Sequence, residues 1–299
     1  MSNIRLPDIR PRVSGDLLAA LARRLTPRDH QILALVHEHR VLTTGQIAEV
    51  FFSGERAANY RLKTLYWYRA LDRAQPRTLA GGSAPFHYVL DETGAMVLAA
   101  DRGLTRAEFG YRRDRATAIL LSAKLSHTVG VNGFFTTLLA AARRDPGTAC
   151  LTAWWPEHRC GTEWHGRIHP DGYGRWREHG PAGISETDFF LEYDTGTEPL
   201  PKVAAKLASY EALYQTTGIP TPVLFWLPTA IREANLRRLL TSARVPVATA
   251  AVSAPGHGPA HPADAVWLPA GRQRPRLRLS SLTAAWHHLP GTARRRRVP

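Results

Sequence analysis

Two carboxylates close an otherwise apolar run in "FFLEYDTGTEPLPKVAAKLASY", residues 189–210. On a strand, successive side chains alternate faces, so Phe190, Glu192 and Asp194 point one way and Phe189, Leu191 and Tyr193 the other. Both acids therefore share an edge. Carboxylate oxygens are what a hard cation such as Mg2+ or Mn2+ prefers, and the water such an ion retains can attack a phosphodiester. Asp171, in "HPDG" ahead of this strand, supplies a partner carboxylate if the two segments pair as an antiparallel hairpin. Lys202 and Lys206 are four residues apart, hence on one face of the helix that follows, and either could set a positive charge beside a scissile phosphate. Lys206, a full turn further in, is the choice. Glu157, after "AWWP", is a further carboxylate able to bind metal or position water. Taken singly, each acid reads as a solvated strand end. Four acids and a lysine in this order read as a metal site, with Asp171, Glu192 and Asp194 as ligands and Glu157 and Lys206 assisting.

The elements that must position these residues follow from hydrophobic periodicity. From residue 114, "ATAILLSAKLSHTVGVNGFFTTLLAAARR" predicts a long helix broken near Gly130. "CLTAWWPE", "GRIHPDGYGRW" and "DFFLEYD" then read as strands, "PKVAAKLASYEALYQTTG" as one helix and "TPVLFWLP" as a fourth strand, an α-β-β-β-α-β order. A last helix, "TAIREANLRRLLTSA", starts at a Thr cap. Residues 252–264 read as a Pro, Gly and His loop, "AVWLP" and "RLRLSSL" as short closing strands, and "ARRRRVP" as a basic tail.

The N-terminal third has a different pattern. Residues 1–25 are basic and contain Pro7 and Pro11, an arm with one turn of helix at "GDLLAALARRL". Thr26 and Pro27 open a helix as N-cap and first helical residue, with Ile32, Leu33, Leu35 and Val36 as its apolar stripe. "TTGQIAEVFF" predicts a second helix and "GERAANYRLKTLYWYRALDRAQ" a third, on which Ala58, Leu62, Leu65 and Tyr66 share the core face. The other face carries Arg56, Asn59, Tyr60, Arg61 and Lys63. "RTLA" and "PFHYVL" read as strands joined by a Gly-Gly-Ser turn. Three helices followed by a hairpin and another helix make a winged helix-turn-helix, whose third helix enters the DNA major groove while the wing lies on the backbone. The five polar residues of that helix are the candidate DNA contacts. The expected fold class is α/β (α+β): a winged helix over 26–113, the α-β-β-β-α-β domain over 114–245, and a C-terminal extension over 246–299.

Charge agrees with such a partner. Lys and Arg outnumber Asp and Glu by 39 to 25, a net +14 that favours a polyanion, because neutralising phosphates releases condensed counterions. No apolar window reaches the length of a membrane span, and "MSNIRLPDIRPRVSG" lacks the apolar core of a signal peptide, so a cytoplasmic protein without a membrane partner is expected. Cys150 and Cys160 are too few for a disulfide framework and have no CxxC partners for zinc, which leaves buried or free thiols. His158, His165 and His169 flank the acidic site and are read as surface or phosphate-contacting residues. Trp154, Trp155, Trp176 and Trp226 could stack on bases of an opened strand, although Trp155 and Trp226 sit in strand patterns that favour the core. His127 and Asn132 are read as packing residues.

The segments "LTPRDHQILALVHEHRVLTTGQIAEVFF", "YRLKTLYWYRALDR", "WWPE", "HPDGYG", "FFLEYDTGTEPLPKVAAKLASY" and "VLFWLP" together resemble the actinobacterial replication-relaxation family of plasmid and conjugative-element proteins, over about residues 26–230. The resemblance implies a winged helix fused to a restriction-endonuclease-like PD-(D/E)xK domain, in a layout similar to that of certain mobilisation relaxases. It makes Pro170-Asp171 the "PD" and Glu192 the "(D/E)". Asp194 stands where that motif usually has lysine, so either Lys206 has taken over the role from the helix or the domain has lost hydrolysis. Two functions are therefore open: a metal-dependent enzyme that nicks or processes DNA, or a non-catalytic DNA-binding initiator or regulator with a degenerate nuclease domain. The implied partners are double-stranded DNA, single-stranded DNA at an origin, and other replication or transfer proteins.

Overall fold

The computed structural model describes residues 10–76, 84–180, 183–253 and 259–286. The chain forms two compact units, residues 1–136 and 137–299. The division falls later than the expected 113/114 boundary, because residues 119–132 pack with what precedes them. Ile119 joins Val41 and Val89 in a small apolar cluster, and the Asn132 amide donates to the carbonyls of His39 and Val41 at 3.1 and 2.6 Å.

In the first unit, "GDLLAALA" forms two helical turns, α1 (Gly15–Ala22), capped by the Ser14 hydroxyl. Helix α2 (Pro27–His39) starts after Thr26 with Pro27 in its first turn, as expected, and a capping box joins Thr26 to Asp29. A short strand β1 (Leu42–Thr43) leads into α3 (Thr44–Phe51), whose N-terminus is closed by Thr43 and Gln46, and then α4 (Glu55–Trp67). Strands β2 (Leu71–Ala74) and β3 (His87–Leu90) complete an antiparallel sheet of order β1-β3-β2. This is a winged helix-turn-helix. Its first wing strand is "LDRA", paired from Leu71 opposite Leu90 to Ala74 opposite His87, earlier than the expected "RTLA". "RTLA" and the Gly-Gly-Ser turn lie outside the described residues.

Helix α5 (Glu92–Asp101) follows and is capped by Asp91. Two short helices, α6 (Arg106–Phe109) and α7 (Arg113–Ala118), precede α8 (Leu125–Arg144). Helix α8 is continuous through Gly130. The interruption falls instead at residues 122–124, where Ser122 turns extended after a short 3-10 segment.

The second unit is built on a six-stranded mixed sheet. Its strands are β4 (Ala149–Pro156), β5 (Gly172–Gly180), β6 (Gly183–Tyr193), β7 (Val223–Thr229), β8 (Val247–Ser253) and β9 (Leu268–Pro269), in that spatial order. The first three are antiparallel neighbours, and β6, β7 and β8 run parallel. The crossovers that parallel strands require are helical: α10 (Leu200–Ala205) with α11 (Leu207–Thr217) before β7, and α12 (Ala230–Leu239) before β8. A short α9 (Glu157–Glu163) follows β4. Three expectations are corrected. The strand containing "HPDG" begins only at Gly172, the single helix over 201–218 is two helices meeting at Lys206, and the supposed extension from 246 supplies β8 and β9 of the same sheet. "RLRLSSL" makes a 3-10 turn at Leu279–Ser281, preceded by an isolated bridge from Leu277 to Trp267. The 252–264 loop begins after β8 ends at Ser253, and residues 254–258 and the basic tail lie outside the described residues.

Close approach is demanded at Gly94, on α5. A Cβ there would lie 2.2 Å from the Ala70 carbonyl oxygen and 2.9 Å from a Leu90 methyl. Gly94→Ala must therefore push α5 off the β2–β3 corner. It is expected to lower stability by about 1–3 kcal/mol, the usual range for overpacking, seen as a lower thermal midpoint by circular dichroism.

Candidate functional site

The β5–β6 hairpin brings the two sequence-distant acids together. Gly172 pairs with Leu191, so the antiparallel register sets Asp171 opposite Glu192 at the hairpin's open end. The Tyr193 amide donates to Asp171 Oδ2 at 2.7 Å, which holds the Asp171 carboxylate beside the backbone next to Glu192. Phe190 and Glu192 share the helix-covered face, as strand alternation requires. Phe190 packs into the core with Tyr173, Val203, Leu207 and Tyr210.

Glu192 is 2% exposed, an unusual place for a carboxylate. Lys206 Nζ lies 2.7 Å from its Oε2, and the Tyr210 hydroxyl donates to its Oε1. Both partners come from one helical edge, since 206 and 210 are four apart. The Tyr210 ring stacks at 5.2 Å on Phe190, Phe190 meets Trp164 at 4.9 Å, and Trp164 meets Tyr173 at 5.3 Å and Trp155 at 5.6 Å. These rings form an aromatic layer that includes Tyr210, the partner of Glu192. Burial, followed by the like charge of Asp171, pushes the Glu192 carboxyl up to about 7 despite Lys206 and Tyr210. The Lys206 ammonium is raised as well: burial opposes its charge, but Glu192 and Asp171 outweigh burial.

The remaining candidates are placed differently. Asp194 is buried, but both its oxygens are engaged by the Arg232 guanidinium from α12, and Oδ1 also accepts from the Gly196 amide at 2.9 Å. It fastens the turn after β6. Glu157 is exposed at the first turn of α9, directly after Pro156, which pairs with Gly172. Lys202 is 69% exposed on its side chain and bonds Glu198 at 2.7 Å. Glu198 also lies 3.9 Å from Lys206 Nζ, so it belongs to the site. The sequence reading missed Tyr210, Arg232 and Glu198. The four-residue spacings of Glu198 with Lys202 and of Lys206 with Tyr210 could have signalled two of them.

Among the described residues no cluster of three or more His, Cys, Asp and Glu is arranged to hold a metal. Cys160 is a buried free thiol, pushed up to about 12 by burial, and Cys150 is an exposed one. Trp154, Trp176 and Trp226 are core residues, whereas Trp155 is half-buried with the Arg159 guanidinium 4.8 Å from its ring. No helix among the described residues is long and apolar enough to cross a membrane.

On the winged helix, Ala58, Leu62 and Leu65 are fully buried, while Arg56, Asn59, Tyr60 and Lys63 are exposed, Tyr60 by 64%. Tyr66, expected in the core, is half-buried with guanidinium groups of Arg10 and Arg73 at 4.0 and 4.4 Å from its ring. Arg61 differs from its neighbours. Its Nε and Nη2 donate to the buried Asp29 at 2.8 and 2.5 Å, and Nη2 also reaches the Arg24 carbonyl at 2.7 Å. A groove of about 670 Å3 lies alongside, lined by Arg28, Phe52, Ser53, Arg56 and Tyr60 among others.

The whole is an α+β protein in which a winged helix-turn-helix is followed by a mixed sheet carrying an acidic pair and a lysine. Its sequence matches the replication-relaxation family over residues 33–224, well over half of the chain, and the chain belongs to that family. No curated protein and no solved structure matches it.

Arg61→Ala leaves a fully buried carboxylate without its counter-charge, which typically costs about 3–5 kcal/mol, whereas the exposed Arg56→Ala should stay within about 0.5 kcal/mol of wild type. Burial raises Asp29, but hydrogen bonds from Arg61 and Thr26 outweigh it and hold the carboxyl below its ordinary 3.8. A depressed carboxyl stabilises the fold above its unfolded value, and that stability disappears as pH falls through the folded value. The deficit of Arg61→Ala, read by urea unfolding, should therefore be large at pH 7 and shrink on acidification below pH 4.

Proposed function

We propose that this replication-relaxation protein binds duplex DNA through its winged helix and cleaves a phosphodiester at the Asp171–Glu192–Lys206 site with a divalent metal, Mg2+ or Mn2+. The observation that supports this most is the salt bridge of 2.7 Å between Lys206 and the buried Glu192, directly across the hairpin from Asp171. An acidic pair and a lysine at one strand end have the donor chemistry of a hard-cation site acting on phosphate. Two carboxylates suffice for Mg2+, which normally keeps several waters and takes further oxygens from its substrate. A dication between the acids would offset both the burial of Glu192 and the like charge that Asp171 sets beside it.

In this reading Asp171 and Glu192 would hold the ion, which supplies an activated water and neutralises phosphate charge. Lys206 donates to a phosphate oxygen as negative charge develops there. Tyr210 fixes the rotamer of Glu192 from within the core. Asp194, engaged by Arg232, holds the turn that precedes α10 in this reading and takes no part in holding the ion. Arg56, Asn59, Tyr60 and Lys63 contact the duplex, while Arg61 sets the position of α4 through Asp29. Single-stranded DNA at an origin and other replication or transfer proteins are the further partners of this activity.

A second reading, a non-catalytic DNA-binding initiator or regulator, draws on Asp194 in the motif-lysine position and on the lack of a third clustered ligand among the described residues. Conversion of supercoiled plasmid to open circle separates the two. With Mg2+, wild type should nick, chelator should stop it, and Asp171→Asn and Glu192→Gln should each abolish it without loss of duplex binding. Lys206→Ala should slow nicking by about 10²- to 10³-fold, the usual effect of losing a preorganised charge at a transition state, and Lys202→Ala should do far less. No metal-dependent cleavage of supercoiled, single-stranded or nicked DNA would leave the scaffold reading.

A further inference from the structure

Glu192 is occupied on both oxygens, and its two partners differ in a way that matters for metal binding. Tyr210 is buried and neutral, with its ring locked against Phe190. Lys206 is charged, its side chain is 38% exposed, and it sits where α10 ends and α11 begins. Its ammonium has a second acidic neighbour, Glu198, at 3.9 Å toward the surface. Tyr210 is therefore a fixed support, and Lys206 is a cation able to leave.

We propose that Lys206 is an internal stand-in for the metal: its ammonium and a divalent cation are alternative partners of Glu192 Oε2, and an incoming DNA phosphate is what draws the lysine off. This rests on the metal-dependent reading above and adds to it a control over when the site loads. A cation placed between Asp171 and Glu192 would stand beside the ammonium 2.7 Å from Oε2, and like charges in a partly desolvated site repel strongly. A phosphate at the site offers the lysine an anion in exchange, with Glu198 as a carboxylate near which it can rest. The free protein then binds metal weakly and the DNA complex binds it well, so cleavage chemistry is assembled only on substrate.

The test counts free Mn2+ by electron paramagnetic resonance in titrations of the full-length chain without DNA, at pH 8.0 so that protons compete less for Glu192. Lys206→Met, which keeps the stem and removes the charge, should bind Mn2+ roughly tenfold more tightly than wild type or better. Lys206→Gln should do the same if methionine perturbs folding. The gain should vanish in Lys206→Met/Glu192→Gln, and Tyr210→Phe, which frees an oxygen without removing charge, should not tighten binding. Equal or weaker binding by both Lys206 variants overturns the stand-in role, as does equal tightening by Tyr210→Phe; neither result touches the nicking reading, which plasmid cleavage decides separately. Failure of every form to bind Mn2+ at millimolar concentration overturns this proposal together with the metal reading.

Discussion

The burial of Glu192 is the constraint on which the second unit turns. A carboxylate removed from water must be neutralised, protonated or matched by hydrogen bonds. Here strand β6 carries it under α10 and α11, and those helices answer with Lys206 and Tyr210. The aromatic series from Trp155 to Tyr210 makes the need sharper by lowering local polarity. The β5–β6 register adds Asp171 on the same end, which raises Glu192 further instead of relieving it. An arrangement that only sought stability would do better with an apolar residue at this position, since buried ion pairs seldom repay their desolvation.

Buried acids organise the first unit too, but there arginine answers them. Asp29 is held by Arg61 and its own helix cap, tying α2 to α4. Asp91 caps α5 while accepting from Arg69 at 2.7 Å, from Arg113 at 3.3 Å and from Arg10, and the last two also bind Asp72. Asp29 and Asp91 are both held below the ordinary carboxylate range. Glu192, raised by burial and by Asp171, contrasts with both. The basic residues divide as well: Arg61 and Arg69 belong to the architecture, whereas Arg56 and Lys63 are exposed charges on α4.

Much of this was legible in sequence wherever the cause is local. Period-two alternation placed Phe190 and Glu192 on one face, the 58/62/65 spacing found the core side of α4, and Thr26 and Thr229 marked helix starts through their caps. What stayed hidden depends on partners distant in the chain. Arg61 looked like its exposed neighbours because Asp29 is thirty-two positions away. The pairing of Asp194 with Arg232 was not visible because the two are thirty-eight positions apart. "LDRA" has weak strand character of its own and becomes a strand by pairing with "HYVL". The break at Lys206 has no Gly or Pro to signal it.

The central claim is that a divalent cation belongs between Asp171 and Glu192. Affinity cleavage tests it most directly: Fe2+ is substituted for the native ion, ascorbate and peroxide are added, and the chain fragments are mapped by mass spectrometry. The account predicts metal-dependent backbone cuts clustered at residues 170–172 and 191–193, suppressed by excess Mg2+ and absent from Glu192→Gln. Cuts confined to other segments, or none above the metal-free background, would contradict it.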